Sequence, residues 1–391
     1  MINPFRFEAP IPIAFGEGRL AKLASDVDRL DGRESNVLLV ADPFMVESGL
    51  AANAQVPLTK GGHKVTTYSE IRSDPLASSI DAIVALARSS GASCIVAMGG
   101  GSTMDASKLA AALAIDGEGV EAYALGQKRL PKKGLPKIAI PTTSGTGSEV
   151  TLTSVFSTDS QKLWVGGKEL AFNLALLDPV LTVGMPGALT AATGIDAAVH
   201  AIEAATNKRR NPVSTAMALG AIETLRAWLT TAVNEPGNIE ARGHVQIAAC
   251  IAGVAFNATG VGIAHSIGHV IGQCAGVHHG RAVGLALNAT MQDTAAAVPE
   301  AYAKVAAALG ADVRGLPDSE AAALASPAFD AWLREVDLRL SLDDHGLTAS
   351  DAKRIAELCH EPQNKVMLDS DSFDYTPETL EIAVARMLVA A

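Results

Sequence analysis

Cysteine is scarce in this 391-residue chain: Cys94, Cys250, Cys274 and Cys359 lie far apart and form no CxxC pair. That spacing excludes a disulfide framework and a cysteine-based zinc site, and reads as four reduced, buried thiols. Basic residues are outnumbered, 31 Lys and Arg against 42 Asp and Glu, for a formal net charge of −11. A field of that sign repels polyanions, so nucleic acid and acidic membrane surfaces are not expected partners, and a small molecule is. The chain also lacks like-charge blocks, a solenoid-period repeat and a Gly/Pro-rich linker. Long apolar runs are missing too. Ile247 to Ala264 comes nearest, but Asn257, Thr259 and several glycines interrupt it and a histidine follows. It reads as a buried helical segment and a turn, not a membrane span. The opening MINPFRFEAPIPIAFGEG has Pro and Glu where a signal peptide needs a basic start and an apolar run, so mature, cytoplasmic protein is expected.

What is present points to two domains. Up to about residue 185, short buried strands (36–42, 93–98, 137–140) alternate with helical patterns such as Ser79–Ser90 and a helix running to about Ile115. That alternation predicts a parallel sheet with ligands at the carboxyl ends of its strands. From Met185 onward the chain is Ala-rich and helical, with breaks at Pro212, Pro236-Gly237, Pro299 and Pro317. The expected fold is an α/β nucleotide-binding domain over 1–185 and an all-helical domain over 186–391.

Two loops follow strands in the first domain. Gly99-Gly100-Gly101-Ser102 lies between a strand and a helix, where backbone N–H groups and the helix dipole can hold a pyrophosphate; a simple tight turn is the alternative. Pro141-Thr142-Thr143-Ser144-Gly145-Thr146-Gly147-Ser148-Glu149 offers hydroxyls interleaved with glycines. Asp42, at the end of an earlier strand, stands where a carboxylate would bind ribose hydroxyls, or is a turn aspartate before Pro43. In the helical half, Asp196 and His200 are spaced i, i+4, as are His265 and His269, with His278-His279 following. Such pairs suit a divalent metal, since two donors on one helix face are already oriented, though each pair alone also fits an ordinary helix contact.

These stretches, GGGSTMDASK, PTTSGTGSEVT, DPVLT, GIDAAVHAIEA and GIAHSIGH…HHG, resemble in order and spacing the iron-containing (group III) alcohol dehydrogenases, over about residues 10 to 390. The resemblance implies the dehydroquinate synthase-like fold, with the active site in the cleft between its two domains. It also implies that Asp196, His200, His265 and His279 bind the metal, Fe2+ first and Zn2+ as an alternative, and that His269 faces substrate and nicotinamide as a proton-handling group. Gly99, Gly100, Gly101, Ser102 and Asp105 match the family's pyrophosphate site; Thr142, Thr143, Ser144, Thr146 and Ser148 match its second nucleotide loop. Asp42 matches the carboxylate that favours NAD over NADP.

The implied reaction is reversible hydride transfer between a small primary alcohol or its aldehyde and nicotinamide C4, with the metal as Lewis acid and a homodimer as the assembly. A polyol, hydroxy-acid or acidic-aldehyde dehydrogenase, or a dehydroquinate synthase-type lyase, is the alternative on the same fold. Three departures from the family pattern bear on this. His278 replaces the usual Pro before the last metal histidine, so that ligand could fall one residue away. Arg281 follows Gly280 where an apolar residue is common, and could hold an acidic substrate or form a salt bridge to an acidic neighbour. The tail MLDSDSFDYTPE lacks the usual Asn and Arg.

Overall fold

In this computed structural model the described residues are 4–158 and 161–389. The first three residues of the stretch read as mature protein, and the outer limits of both expected domains, lie outside them. The chain divides into two compact units, Ala9–Thr143 with Gly147–Gly184, and Met185–Ala391 with Met1–Glu8 and Ser144–Thr146.

In the first unit, among the described residues, β1 (Ile13–Phe15), β2 (Asn36–Ala41), β3 (Lys64–Tyr68), β4 (Cys94–Gly99), β5 (Lys137–Pro141) and β8 (Leu174–Leu177) form a six-stranded sheet of order β1-β8-β5-β4-β2-β3. Every neighbouring pair in it is parallel. Because helices cover both faces, the central strands are apolar without alternation. Leu38, Val40 and Ile95 join the core on one face, and Val37, Leu39, Val96 and Met98 the core on the other. Strand ends came out within one residue of expectation: β2 stops before Asp42, which caps the helix Pro43–Glu47, β4 runs one residue later than 93–98, and β5 takes in Pro141. A small antiparallel hairpin, β6 (Thr153–Ser157) with β7 (Lys162–Gly166), was not foreseen.

The sheet's order places a reversal between β2 and β4. The chain leaves β2 toward β3 at one edge, and leaves β4 toward β5 on the other side. Ligands of open α/β sheets bind outside the carboxyl ends of strands at such a reversal. Asp42 and the glycine loop that opens helix α1 (Gly101–Leu113) flank it.

The second unit is helical. Its helices include α2 (Gly187–Thr206), α3 (Pro212–Asn234), α4 (Ile239–Thr259), α5 (Ile263–Ala275) and α6 (His279–Ala297). Pro212 opens α3 under an Asn211 capping box, and Pro236-Gly237 separates α3 from α4. After its first turn α2 is buried on every side, which its run of alanines permits by letting neighbouring helices approach closely. Among the described residues no single helix is long and apolar enough to cross a membrane, and α4 and α5 pass by length and composition only as a pair bent by 105°. Both contribute to the core of the helical unit.

Candidate metal centre and nucleotide loops

The nucleotide loops rest on strand register. Ala41 pairs with Met98 and Gly99 with Pro141, so the segments leaving β2, β4 and β5 emerge side by side. Asp42 N donates to Met98 O at 2.9 Å and Thr142 N to Gly99 O at 3.0 Å. A Cβ at Gly99 would stand 2.4 Å from Thr103 Oγ1 and 3.1 Å from Asp42 Cβ, so the close turn requires glycine. Gly100 caps α1 with no side chain of its own, leaving the helix N-terminus open to an anion. The residues thus fit a dinucleotide's pyrophosphate.

Asp42 serves the turn as well: its Oδ1 accepts from Phe44 N at 2.9 Å. Burial, joined by the charge of Glu47, pushes its carboxyl above the ordinary aspartate range, against the opposing Phe44 N–H. Asp105 is held within the protein. Its Oδ1 accepts from Ser148 Oγ at 2.5 Å and its Oδ2 from Val155 N at 2.9 Å. Lys108 stands 3.4 Å from it and donates to Thr151 Oγ1 and Thr153 O, so α1 is tied to the second loop and to β6. Burial lowers the Lys108 pKa, with Asp105 opposing. Ser102 Oγ accepts from Asp74 N at 3.1 Å. Thr142 and Ser148 are buried and Thr143 is half-buried, whereas Ser144 and Thr146 belong to the helical unit.

In the helical unit, one stripe of α2 carries Asp196, His200 and Glu203, α5 carries His265 and His269, and α6 begins at His279. Donor atoms of Asp196, His265 and His279 all lie within 4.8 Å of one another. Asp196 Oδ1 is 3.8 Å from His265 Nε2 and 3.6 Å from His279 Nε2, and the Nε2 atoms of His200 and His265 are 2.9 Å apart. Two donors bound at about 2.1 Å to one tetrahedral ion stand about 3.4 Å apart. The spacings bracket that figure, so this donor set fits a divalent cation.

The surroundings fix the donors. His265 Nδ1 lies 2.6 Å from Glu203 Oε2, which sets the tautomer with its N–H toward Glu203 and leaves the Nε2 lone pair aimed at the group. Burial, with His265 and His269 adding to it, holds His200 well below the usual histidine pKa and therefore neutral, as a ligand must be. The His200 ring stacks on Phe256 at 4.3 Å. His269 stands beside the group, its ring centroid 5.4 Å from that of His279 and 6.5 Å from that of His265. His278 is exposed, and it is the imidazole of His279 that reaches Asp196.

Glu203 and Asp371 escaped the sequence reading. Glu203 lies seven residues after Asp196, on the same helix face, and that spacing was a usable signal. Asp371 accepts from Ile263 N and Phe373 N, and burial pushes its carboxyl up to about 7. Arg281 makes the salt bridge that the sequence left open: its guanidinium grips both oxygens of Asp344 and donates to Arg339 O and Ser341 O. The cysteine expectation needs correction, because Cys274 is exposed near the end of α5 while the other three are buried.

Residues 10–179 match the family described as iron-containing alcohol dehydrogenase, and residues 190–368 match the C-terminal part of the Fe-containing alcohol dehydrogenase family. Long-chain-alcohol dehydrogenase 1 of Geobacillus thermodenitrificans is 34% identical over 337 residues, covering 86% of this chain and 85% of that protein. The crystal structure of a 1,3-propanediol oxidoreductase is similar at a TM-score of 0.92 and 28% identity, covering 98% of this chain and 100% of that one. Sulfoacetaldehyde reductase from Bifidobacterium kashiwanohense, solved with NAD+, gives a TM-score of 0.88 at 28% identity over 100% of both chains.

Proposed function

This chain belongs to the iron-containing alcohol dehydrogenase family and is an oxidoreductase with a His/Asp metal site, and from that premise we propose that it transfers hydride between NAD and a small primary alcohol or its aldehyde. The observation that carries the reading is the meeting of Asp196, His265 and His279, with His200 Nε2 2.9 Å from His265 Nε2 and Glu203 holding the His265 imidazole by its far nitrogen. Those four side chains would hold a divalent cation, Fe2+ or alternatively Zn2+, which when bound supplies Lewis acidity toward a hydroxyl or carbonyl oxygen. Three neutral imidazoles and one carboxylate bring a single negative charge to that position. His269, beside the donors, would accept or return the substrate's hydroxyl proton.

The open N-terminus of α1 and the glycine loop would take the pyrophosphate of NAD, which supplies the hydride acceptor, and Asp42 would take its adenosine ribose. Thr142, Thr143, Ser144 and Thr146 would supply hydroxyls to the dinucleotide. Asp105 would act through Ser148, since both its carboxylate oxygens are engaged within the protein. A homodimer is in keeping with the edge strand β1, which leaves Ile13 and Phe15 nearly half exposed.

The acidic-aldehyde alternative draws no support from Arg281, which is held by Asp344. Metal analysis of the purified protein and a panel of neutral and anionic alcohols and aldehydes, followed at 340 nm with NAD and NADP, tests the reading. A steady rise with a neutral primary alcohol and NAD is expected. A lyase of the dehydroquinate synthase type would recycle its NAD and give none.

A further inference from the structure

Helix α5 starts at Gly262 with no side chain of its own to cap it. Its first N–H groups go to two buried carboxylates from remote parts of the chain. Glu203 accepts from Gly262 N at 2.7 Å and Ala264 N at 2.8 Å, and Asp371 Oδ2 accepts from Ile263 N at 3.2 Å. A Cβ at position 262 would stand 2.9 Å from Asp371 Oδ2 and 3.1 Å from Glu203 Oε1, so both carboxylates abut the backbone at that point. The other oxygen of Asp371 accepts from Phe373 N at 3.0 Å.

The residues around Asp371 tie two helices together. Ser370 Oγ donates to Val261 O just before α5, Lys208 N donates to Ser370 O, and Ser372 Oγ donates to Thr206 O at the end of α2. The segment 370–373 therefore joins the helix carrying Asp196 and His200 to the one carrying His265.

We propose that Asp371 is a positioning residue of the metal centre, sharing with Glu203 the anchoring of the first turn of α5 and so setting where His265 presents its Nε2. The inference rests on the ligand set given under the proposed function. Glu203 already serves two backbone N–H groups and His265 with two oxygens. Without Asp371, Ile263 N–H would be buried and unpaired, and Glu203 would be drawn toward it and away from His265. Metal–donor distances tolerate only about 0.2 Å, so a small displacement of the ring weakens binding.

The test, run at about pH 8.5 where the Asp371 carboxyl is ionised and both its oxygens accept, is release of Zn2+ from the zinc-loaded protein to a chromogenic chelator. Asp371→Asn keeps the side chain's size but has one oxygen where two are used, so one backbone N–H is left facing an amide NH2. Release is expected to be roughly 10- to 100-fold faster, with KM for NAD unchanged. Gly262→Ala, which presses on both carboxylates, should accelerate release likewise and carries the test if the first variant does not fold. A merely structural role would lower the Tm of the metal-free protein and leave the release rate alone. Folded Asp371→Asn protein that releases Zn2+ at the wild-type rate, beside metal-poor His265→Ala, overturns the proposal and spares the ligand set. Full zinc retention by His265→Ala overturns the ligand set and the proposal with it.

Discussion

The Nε2 atoms of His200 and His265 face each other at 2.9 Å, and His265 gives its other nitrogen to Glu203. Ring nitrogens so disposed share either a hydrogen or a cation, and donor atoms of Asp196 and His279 lie within 4.8 Å of that of His265, so the proposed cation would have four donors with His200. Removing a donor should deplete the metal and abolish turnover, because no Lewis acid remains. His265→Ala and His279→Ala should purify metal-poor. His269→Ala and His278→Ala should keep their metal, and only His269→Ala should be slow, on the order of 10²- to 10⁴-fold. Metal content and kcat measured on the four variants decide it. Metal lost from His269→Ala and kept by His279→Ala would replace this set with the helical pair His265 and His269.

Asp42, proposed above to take the adenosine ribose, sits at the sheet's reversal with Oδ1 turned to Phe44 N. A 2′-phosphate brought to that carboxylate would meet like charge at close range, so NAD should be strongly preferred over NADP. Asp42→Gly should narrow the preference, mainly by improving kcat/KM for NADP. The ratio of the two kcat/KM values is the readout, and an unchanged ratio would remove Asp42 from the ribose site.

Local patterns were legible in the sequence and remote ones were not. Strand β4, the glycine loop and α1 are contiguous, so a buried run followed by Gly99-Gly100-Gly101 announces all three. Pro212 and Pro299 read as breaks and proved to be first residues of helices, because a helix's first turn does not need the missing N–H. By contrast, β1 and β8 are three- and four-residue strands that exist through pairing, Ile13 with Ala175, and no local period marks them. Glu203 was readable as the i+7 partner of Asp196 but looks like any helix glutamate until His265 is placed against it. Asp371 was beyond reach: it meets Ile263 across 108 residues, and nothing in DSDSFD tells which helix it serves.

Thiol chemistry separates Cys274 from the rest. Cys94, Cys250 and Cys359 are buried, and burial pushes the Cys94 and Cys359 thiols up to about 12, where little thiolate exists at neutral pH. Native protein treated with an aromatic disulfide reagent should release the chromophore of one thiol quickly, and of all four only after unfolding. Cys274→Ser should abolish the fast phase, and a fast phase surviving in that variant would contradict the burial of the other three.

Asp371 should also leave its mark on stability. Burial foremost, with Glu203 adding to it, raises its folded-state pKa to about 7 from an ordinary value of 3.8. Between those pH values the folded chain keeps a proton that the unfolded chain has released. Stability contributed by that proton is therefore fully present below about pH 4, is lost as pH rises toward 7, and changes little above. The span corresponds to about 4 kcal/mol at roughly 1.4 kcal/mol per pH unit, an upper figure for a carboxyl this close to another. Asp371→Asn cannot titrate, so the stability difference between wild type and variant should shrink or reverse as pH rises from 4 to 7 and then level off. Urea unfolding of the metal-free proteins at pH 4.5, 5.5, 6.5 and 7.5 measures it directly. Parallel pH profiles for the two proteins would mean that Asp371 is already ionised across this range, and that Ile263 and Phe373 N–H outweigh its burial.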